Sequence, residues 1–403
     1  MANNDPIFVS LFSGAGGLDI GLEQAGWRCA YACDNDRAAV DSLHAGRGFE
    51  FHDGQTAFSD TFIEHADIRT LAARDVISRA GVVRGDIQLL AGGPPCQSWS
   101  SAGHQLGFND PRGRLFDDFV RMANGLDARW LLLENVRGLL TARGADGQPG
   151  SALAYIRHRL LEAGFQTTVS LVNAADFGVP QRRVRLFIIG FREGDPPPFP
   201  ISTHPKSAWV SLGDAISSVK DLGANEIIRP NHKLAAQFEG IPDGCGVKSP
   251  GKAERTRPGG HWGYKQGAFI ADLKQSARTV TANAQQDWVR DPIFGLRRLS
   301  PRECAAIQGF PVGWKFAGGA SVQYRLIGNA VPPPVAKAIG QTLLRHIREL
   351  DREQPTVFDR PLPLSEKLMA AIRYTAREEA SNGKSRRLAE SRRTSRIALA
   401  SNH

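Results

Sequence analysis

Short apolar runs alternate with stretches of helical spacing through the first half of the chain, and this alternation limits the fold more than any other feature. Ile7–Phe12, Arg28–Cys33, Ile87–Leu90, Trp130–Leu133 and Leu186–Ile189 read as buried strands, and Leu115–Leu126 and Ala152–Ala163 read as helices. Strands that take turns with helices build βαβ units, and such units make a mostly parallel sheet with helices on both faces. The expected fold is α/β and Rossmann-like. Thr167–Asn173 and Leu186–Phe191 lie close together across a turn-rich stretch, so one of them is expected to run antiparallel. The proline cluster Asp195–Pro200 marks a boundary. Residues 201–295 are rich in Gly, Pro, Lys and Arg and weakly periodic, which predicts a smaller, irregular domain with its function on loops. Helical spacing returns at Leu299–Gln308 and Val335–Leu350, and from about Pro361 the chain turns polar.

Composition narrows the setting. No apolar stretch reaches the ~20 residues a membrane helix needs, and Met1–Pro6 lacks the basic-then-apolar pattern of a secretory signal. Cys29, Cys33, Cys96, Cys245 and Cys304 are few, odd in number and scattered, which suggests neither a metal site nor a disulfide framework. Reduced thiols and a cytoplasmic setting are expected. The net charge of +9 suits a polyanion such as nucleic acid. In the tail, Lys384, Arg386, Arg387, Arg392, Arg393 and Arg396 face only Glu390 nearby. That stretch reads as a solvated helix or arm, with a nucleic-acid backbone contact as the second reading.

The chemistry gathers where strands end. Ile87–Ala91 leads into Gly92-Gly93-Pro94-Pro95-Cys96, a rigid turn that presents one thiol outside the carboxyl end of a strand, where ligands sit in open α/β sheets. A small buried cysteine is the plain alternative. Phe12-Ser13-Gly14-Ala15-Gly16-Gly17 follows the first strand and opens a helix, so a ligand can approach the backbone there. A dinucleotide fingerprint would need glycine at position 19, where Asp19 stands; its carboxylate would face a pyrophosphate. An adenosyl cofactor without phosphates fits better. Asp34 lies about twenty residues after the first glycine, placed to take ribose hydroxyls, and Asp67-Ile68 could hold an adenine. Both aspartates could equally be helix caps. Glu134 ends the run Trp130–Leu133 and can keep its proton, or else cap the next helix. Alternation places Gln181, Arg183 and Arg185 on one face, either as an anion or base clamp or as an exposed edge. Asn329 in Gly328–Pro333 offers a donor and an acceptor, or serves as a turn residue.

Taken in order, these blocks resemble the cytosine-5 DNA methyltransferase family. FSGAGG, Asp34, Asp67-Ile68, GGPPCQSWS, ENV, QRRVR, RRLSPRECAAIQGFP and YRLIGNAVPP follow one another as in that family, over roughly residues 7–345. The resemblance implies S-adenosyl-methionine as methyl donor and cytosine in double-stranded DNA as acceptor. It implies Cys96 as the nucleophile on C6, Glu134 at N3 and the exocyclic amine, and Arg185 at the base oxygen with Arg183 beside it. Phe12, Gly14, Gly16, Gly17, Asp34, Asp67, Ile68, Pro95 and Asn329 match the cofactor pocket. Ser100–Leu115 matches the loop that closes over DNA. Residues 1–194 and 296–350 would form the catalytic domain, its last part folding back on the first, with target recognition in 195–295 and a basic extension over 351–403. Ala277–Thr281 resembles a short signature of the target-recognition region. Many members carry Ser where Ala330 stands and Glu where Asp34 stands. A monomer working alongside a cognate restriction endonuclease is expected. The alternatives are the tRNA-methylating branch, a catalytically inactive DNA-binding module, and a nicotinamide-dependent dehydrogenase, which Asp19 disfavours.

Overall fold

A computed structural model describes residues 5–95, 114–248, 256–257, 261–262, 267–350 and 358–377. Seven strands form one sheet: β1 (Ile7–Leu11), β2 (Arg28–Asp34), β3 (Phe62–His65), β4 (Ile87–Gly92), β5 (Trp130–Val136), β6 (Gln166–Asn173) and β7 (Val184–Phe191), in the order β3-β2-β1-β4-β5-β7-β6. The first five run parallel, and β7 is antiparallel to both β5 and β6. β7 is thus the reversed member of the expected pair. The order changes direction between β1 and β4, which opens a crevice at their carboxyl ends. β3 gave no sequence signal: its four residues mix Phe62 and Ile63 with Glu64 and His65, and Phe62 is exposed.

Helices α1 (Gly17–Gln24), α2 (Arg37–Gly46), α3 (Ala73–Ala80), α4 (Arg114–Leu126) and α5 (Ser151–Glu162) connect these strands. Central strands covered on both faces need apolar side chains at every position, and Leu89, Leu90, Leu131 and Leu132 are all fully buried. Successive residues of β1 feed opposite layers: Phe8 packs with Ile20 and Leu22 of α1, while Val9 and Leu11 pack with Phe119 and Met122 of α4.

Residues 195–295 hold α6 (Leu212–Ser217), α7 (His232–Phe238), β8 (Cys245–Gly246), β9 (Thr256–Arg257), β10 (His261–Trp262), β11 (Phe269–Ile270) and β12 (Trp288–Asp291); β13 (Gly295–Arg298) closes the region. A small sheet runs β13-β12-β11-β8, over a core of Phe238, Ile241, Cys245, Ile270 and Trp288. Three helices follow: α8 (Pro301–Gln308), α9 (Ala320–Asn329) and α10 (Pro333–Glu349). Ser300 and Glu303 form a capping box on α8, with Pro301 opening the helix. α10 lies against α1 so closely that a Cβ on Gly21 would sit 2.3 Å from the Pro333 carbonyl oxygen. The Trp27 indole donates to the Gly340 carbonyl at 3.0 Å.

The polar segment after Pro361 is not wholly a solvated arm. Residues 366–377 are helical, and Leu368 is buried in the layer that also holds α4 and α5. Polar composition concealed this because a few apolar side chains at helical spacing suffice to dock a helix. The basic stretch from Lys384 lies outside the described residues. No helix among the described residues is long and apolar enough to cross a membrane.

Candidate active site

The crevice at the carboxyl ends of β1, β2, β4 and β5 holds a cavity of about 370 Å³, whose walls include Phe12, Gly14, Asp34, Pro95, Glu134 and Asn329. The chain leaves β1 with Phe12 and Gly14 both in the left-handed region, at φ +57° and +55°. Glycine tolerates this; for phenylalanine it costs about 1–3 kcal/mol. The bend turns the Gly14 N–H onto Asp34 Oδ2 at 2.8 Å, while Asp34 Oδ1 accepts the Asp36 N–H at 2.9 Å. Burial raises the Asp34 carboxyl above its ordinary value despite these two hydrogen bonds. Gly16 and Gly17 do not line the cavity. They are packing positions: a Cβ would meet Leu43 and Phe58 at Gly16, and the Val331 carbonyl oxygen, at 2.2 Å, at Gly17.

The turn after β4 is held from several sides. A Cβ on Gly92 would lie 2.4 Å from the Leu11 carbonyl oxygen, and one on Gly93 would lie 3.3 Å from Glu134 Oε2. The paired glycines therefore let the strand pass β1 and the turn pass the carboxyl. Asn135 donates to the Pro94 carbonyl at 3.1 Å, so the residue after Glu134 braces the turn that leads to position 96. Cys96 lies outside the described residues, as does the stretch 100–113 that resembled a closing loop.

Glu134 sits near the end of β5, and Arg185 near the start of the antiparallel β7. The reversal brings them together: Arg185 Nε lies 3.1 Å from Glu134 Oε1, with side chains only 16% and 11% exposed. Burial raises the Glu134 carboxyl above its usual range, against the pull of Arg185 and then Arg183. Such a group holds its proton to higher pH than a free glutamate.

Gln181, Arg183 and Arg185 are not an exposed edge; Gln181 and Arg183 are fully buried. Arg183 donates to the carbonyls of Val280 at 3.0 Å, Gly328 at 2.8 Å and Ala330 at 3.1 Å. Gln181 donates to Gln308 Oε1 at 2.5 Å and accepts the Val280 N–H at 2.8 Å. Residues 277–281 are thereby tied to the segment before β7 and to the Gly328–Ala330 turn beside Asn329. Arg183 does not line the cavity.

Two other expectations meet a different geometry. Asp67 turns its carboxylate onto Arg69, whose Nε lies 2.9 Å from Oδ2, and this hydrogen bond draws the Asp67 carboxyl below its ordinary value. Ile68 is buried, its carbonyl accepting from Arg121 at 2.6 Å, and neither residue lines the cavity. Asp19 does not line the cavity. It is fully buried, and burial pushes its carboxyl up to about 7 against the pull of the Ser10 hydroxyl. Sequence reasoning missed Asn135, Gln308 and the Asp36–Arg325 ion pair on the cavity wall. Each acts on a residue far away in the chain, so no local pattern announces it.

The sheet order and the cavity at its switch point define an α/β enzyme of methyltransferase fold. The S. pombe Dnmt2 methyltransferase shares this fold, with a TM-score of 0.60 at 16% identity, over 85% of this chain and 98% of that one. The Entamoeba histolytica methyltransferase EhMeth shares it with a TM-score of 0.58 at 14% identity, over 86% and 99%.

The chain belongs to the C-5 cytosine-specific DNA methylase family, whose model matches residues 7–345. It is similar to the Type II methyltransferase M.FnuDI of Fusobacterium nucleatum, 29% identical over 384 residues and covering 87% of this chain and 99% of the relative. The Type II methyltransferase M.NgoPII of Neisseria gonorrhoeae is 30% identical over 365 residues, covering 84% and 96%. The protein is therefore a DNA cytosine-5 methyltransferase.

Proposed function

We propose that this enzyme methylates one cytosine within a specific sequence of double-stranded DNA, with S-adenosyl-methionine as donor, through a transient covalent bond between Cys96 and the base. The observation that carries the reading is the Glu134–Arg185 pair at the end of β5 and the start of β7, beside the turn that delivers position 96. The crevice chemistry fits an adenosyl donor: a buried carboxyl at Asp34 suits ribose hydroxyls, and Asn329 offers both a donor and an acceptor. When bound, the donor supplies an electrophilic methyl group.

The chain's own groups then do the following. The Cys96 thiolate adds to C6 of the cytosine, and the C5=C6 π electrons become available at C5, which takes the methyl. Glu134, whose hold on its proton burial strengthens against the pull of Arg185 and Arg183, gives its proton to N3, so the adduct does not accumulate negative charge. Arg185 donates toward the base oxygen. A base then removes the C5 proton, the C5=C6 double bond re-forms as the Cys96 thiolate leaves, and N3 returns its proton to Glu134. The target carbon is out of reach inside a duplex, so the base is flipped out, at a cost of a few kcal/mol. Arg183 acts through the turn at Gly328–Ala330 and positions rather than touches the base.

Residues 195–295 read the target, and residues 1–194 with 296–350 carry the chemistry. A cognate restriction endonuclease cutting the same sequence is the matching partner. The test is a duplex with 5-fluorocytosine at the target position, where the fluorine blocks proton loss. Incubation with the donor should leave a covalent adduct that mass spectrometry maps to Cys96; absence of adduct with a methylatable parent duplex overturns the covalent route.

A further inference from the structure

We propose that Asp19 discriminates the methyl donor from its demethylated product: two hydroxyls, Ser10 and Ser13, relay the charge state of this buried carboxyl to the wall of the donor cavity. The proposal rests on the reading of that cavity as the S-adenosyl-methionine site, and it gives a role to a buried carboxyl that the chemistry at the base leaves idle.

A central parallel strand calls for apolar side chains, yet β1 carries Ser10, fully buried. Alternation turns Ser10 to the same side as Phe8, the side that α1 covers. There its hydroxyl acts on the Asp19 carboxyl, which is fully buried in the first turn of α1. The Ser13 hydroxyl donates to Ser10 Oγ at 2.8 Å, and Ser13 lines the cavity. Two hydroxyls joined to a carboxyl can run in either direction. With Asp19 ionised, Ser10 donates to the carboxylate and Ser13 donates to Ser10, so the Ser13 oxygen offers the cavity only lone pairs. With Asp19 protonated, the carboxyl donates to Ser10 and Ser10 to Ser13, which frees the Ser13 O–H for the cavity. The relay thus converts a charge into a reversal of polarity, and each bond polarises the next.

The carboxyl is poised between its two states. Burial raises it, while the Ser10 hydroxyl and its own backbone N–H pull it down, and a first-turn position on a helix favours the charged form. The titratable and charged groups around it are Glu23 one turn on, whose oxygens accept the Phe58 N–H at 3.1 and 3.2 Å, Cys29, Cys33 and Asp34 on β2, and Lys337 where α10 meets Gly21. Among the described residues the cavity is lined by three carboxyls, Asp34, Asp36 and Glu134, and by one cation, Arg325, which is paired with Asp36. Such a wall suits a cationic ligand, and a cation in the cavity draws Asp19 toward its ionised form. The donor is a sulfonium cation. Methyl transfer breaks its S–CH3 bond and leaves a neutral thioether, so the product lacks the charge that holds the relay in its accepting direction.

The test is calorimetric titration of the full chain with S-adenosyl-methionine and with S-adenosyl-homocysteine, from about pH 5.5 to 8.5, in buffers of different ionisation enthalpy that count the protons released. Near pH 7 the donor should release more protons than the product. The ratio of donor to product affinity should climb with pH, about tenfold for each unit by which the donor lowers the Asp19 carboxyl. Asp19→Asn should cut both the climb and the extra proton by about half or more. Ser13→Ala keeps the carboxyl and breaks the relay at the cavity wall; it should do the same, while the pH dependence of unfolding stays as in wild type. A carboxyl with a merely structural role would not move the ratio, so a climb left intact in either variant overturns the proposal. A full chain that binds neither ligand would instead defeat the reading of the cavity as the donor site, and this inference with it.

Discussion

The seven-stranded sheet and the 195–295 region solve the folding problem in different ways. The sheet buries continuous apolar strands between two helical layers, and its polar groups gather only at the carboxyl rim. The 195–295 region has strands of two to four residues over a small core, and a buried ionic cluster stands where it joins β13 and α8. At that junction Arg297 of β13, at 2% exposure, bonds Glu303 of α8 at 2.7 Å and Asp291 of β12 at 2.7 Å. One region holds a reaction geometry and must be rigid. The other displays loops and is bound to the first through Gln181, Arg183 and Gln308.

Changes on the two sides of that contrast should separate activity from stability. Glu134→Gln should lower kcat by about 10²–10⁴-fold, the usual worth of a positioned acid, while thermal unfolding and DNA binding stay close to wild type. A parallel fall in unfolding temperature would mean the carboxyl is structural. Arg297→Met leaves buried carboxylates without their partner and should cost about 3–5 kcal/mol. Denaturant unfolding would show this, with DNA binding lost before donor binding. Asp19→Asn probes the sheet side through pH. The folded carboxyl holds its proton to about 7 and the unfolded one to 3.8, so the folded state binds more protons between those values. Wild-type stability should fall as pH rises through that window, by about 1.4 kcal/mol for each pKa unit. The variant's stability relative to wild type should therefore climb from pH 4 to pH 8; a flat difference would place the charge elsewhere. The smallest effect is Ser300→Ala, which removes one cap of α8 and should cost about 0.5–2 kcal/mol by thermal unfolding.

The sheet was legible in the sequence because buried parallel strands are unbroken apolar runs, and the glycine and proline turns at their ends mark where ligands can approach. β3 was not, since an edge strand needs little apolar content. In the site, residues placed by their own strand or turn, such as Asp34, Glu134 and Arg185, could be singled out locally. Asn135 on Pro94, Arg325 on Asp36 and Gln308 on Gln181 join segments far apart in the chain, and their types fit many other roles. Asp19 shows the limit of pattern matching: the mismatch with a dinucleotide fingerprint is real, yet the side chain is fully buried and does not line the cavity.

The direction of β7 constrains how this enzyme can diversify. Arg185 occupies a ladder position in a regular strand, so a one-residue slip of β7 against β5 and β6 would turn its guanidinium to the opposite side of the sheet. Loops that follow parallel strands can lengthen without moving the residues before them. The stretch just before β7 lacks that freedom, because Gln181 and Arg183 are tied to Val280, Gln308 and the Gly328–Ala330 carbonyls, so natural or engineered length variants should be rarest there.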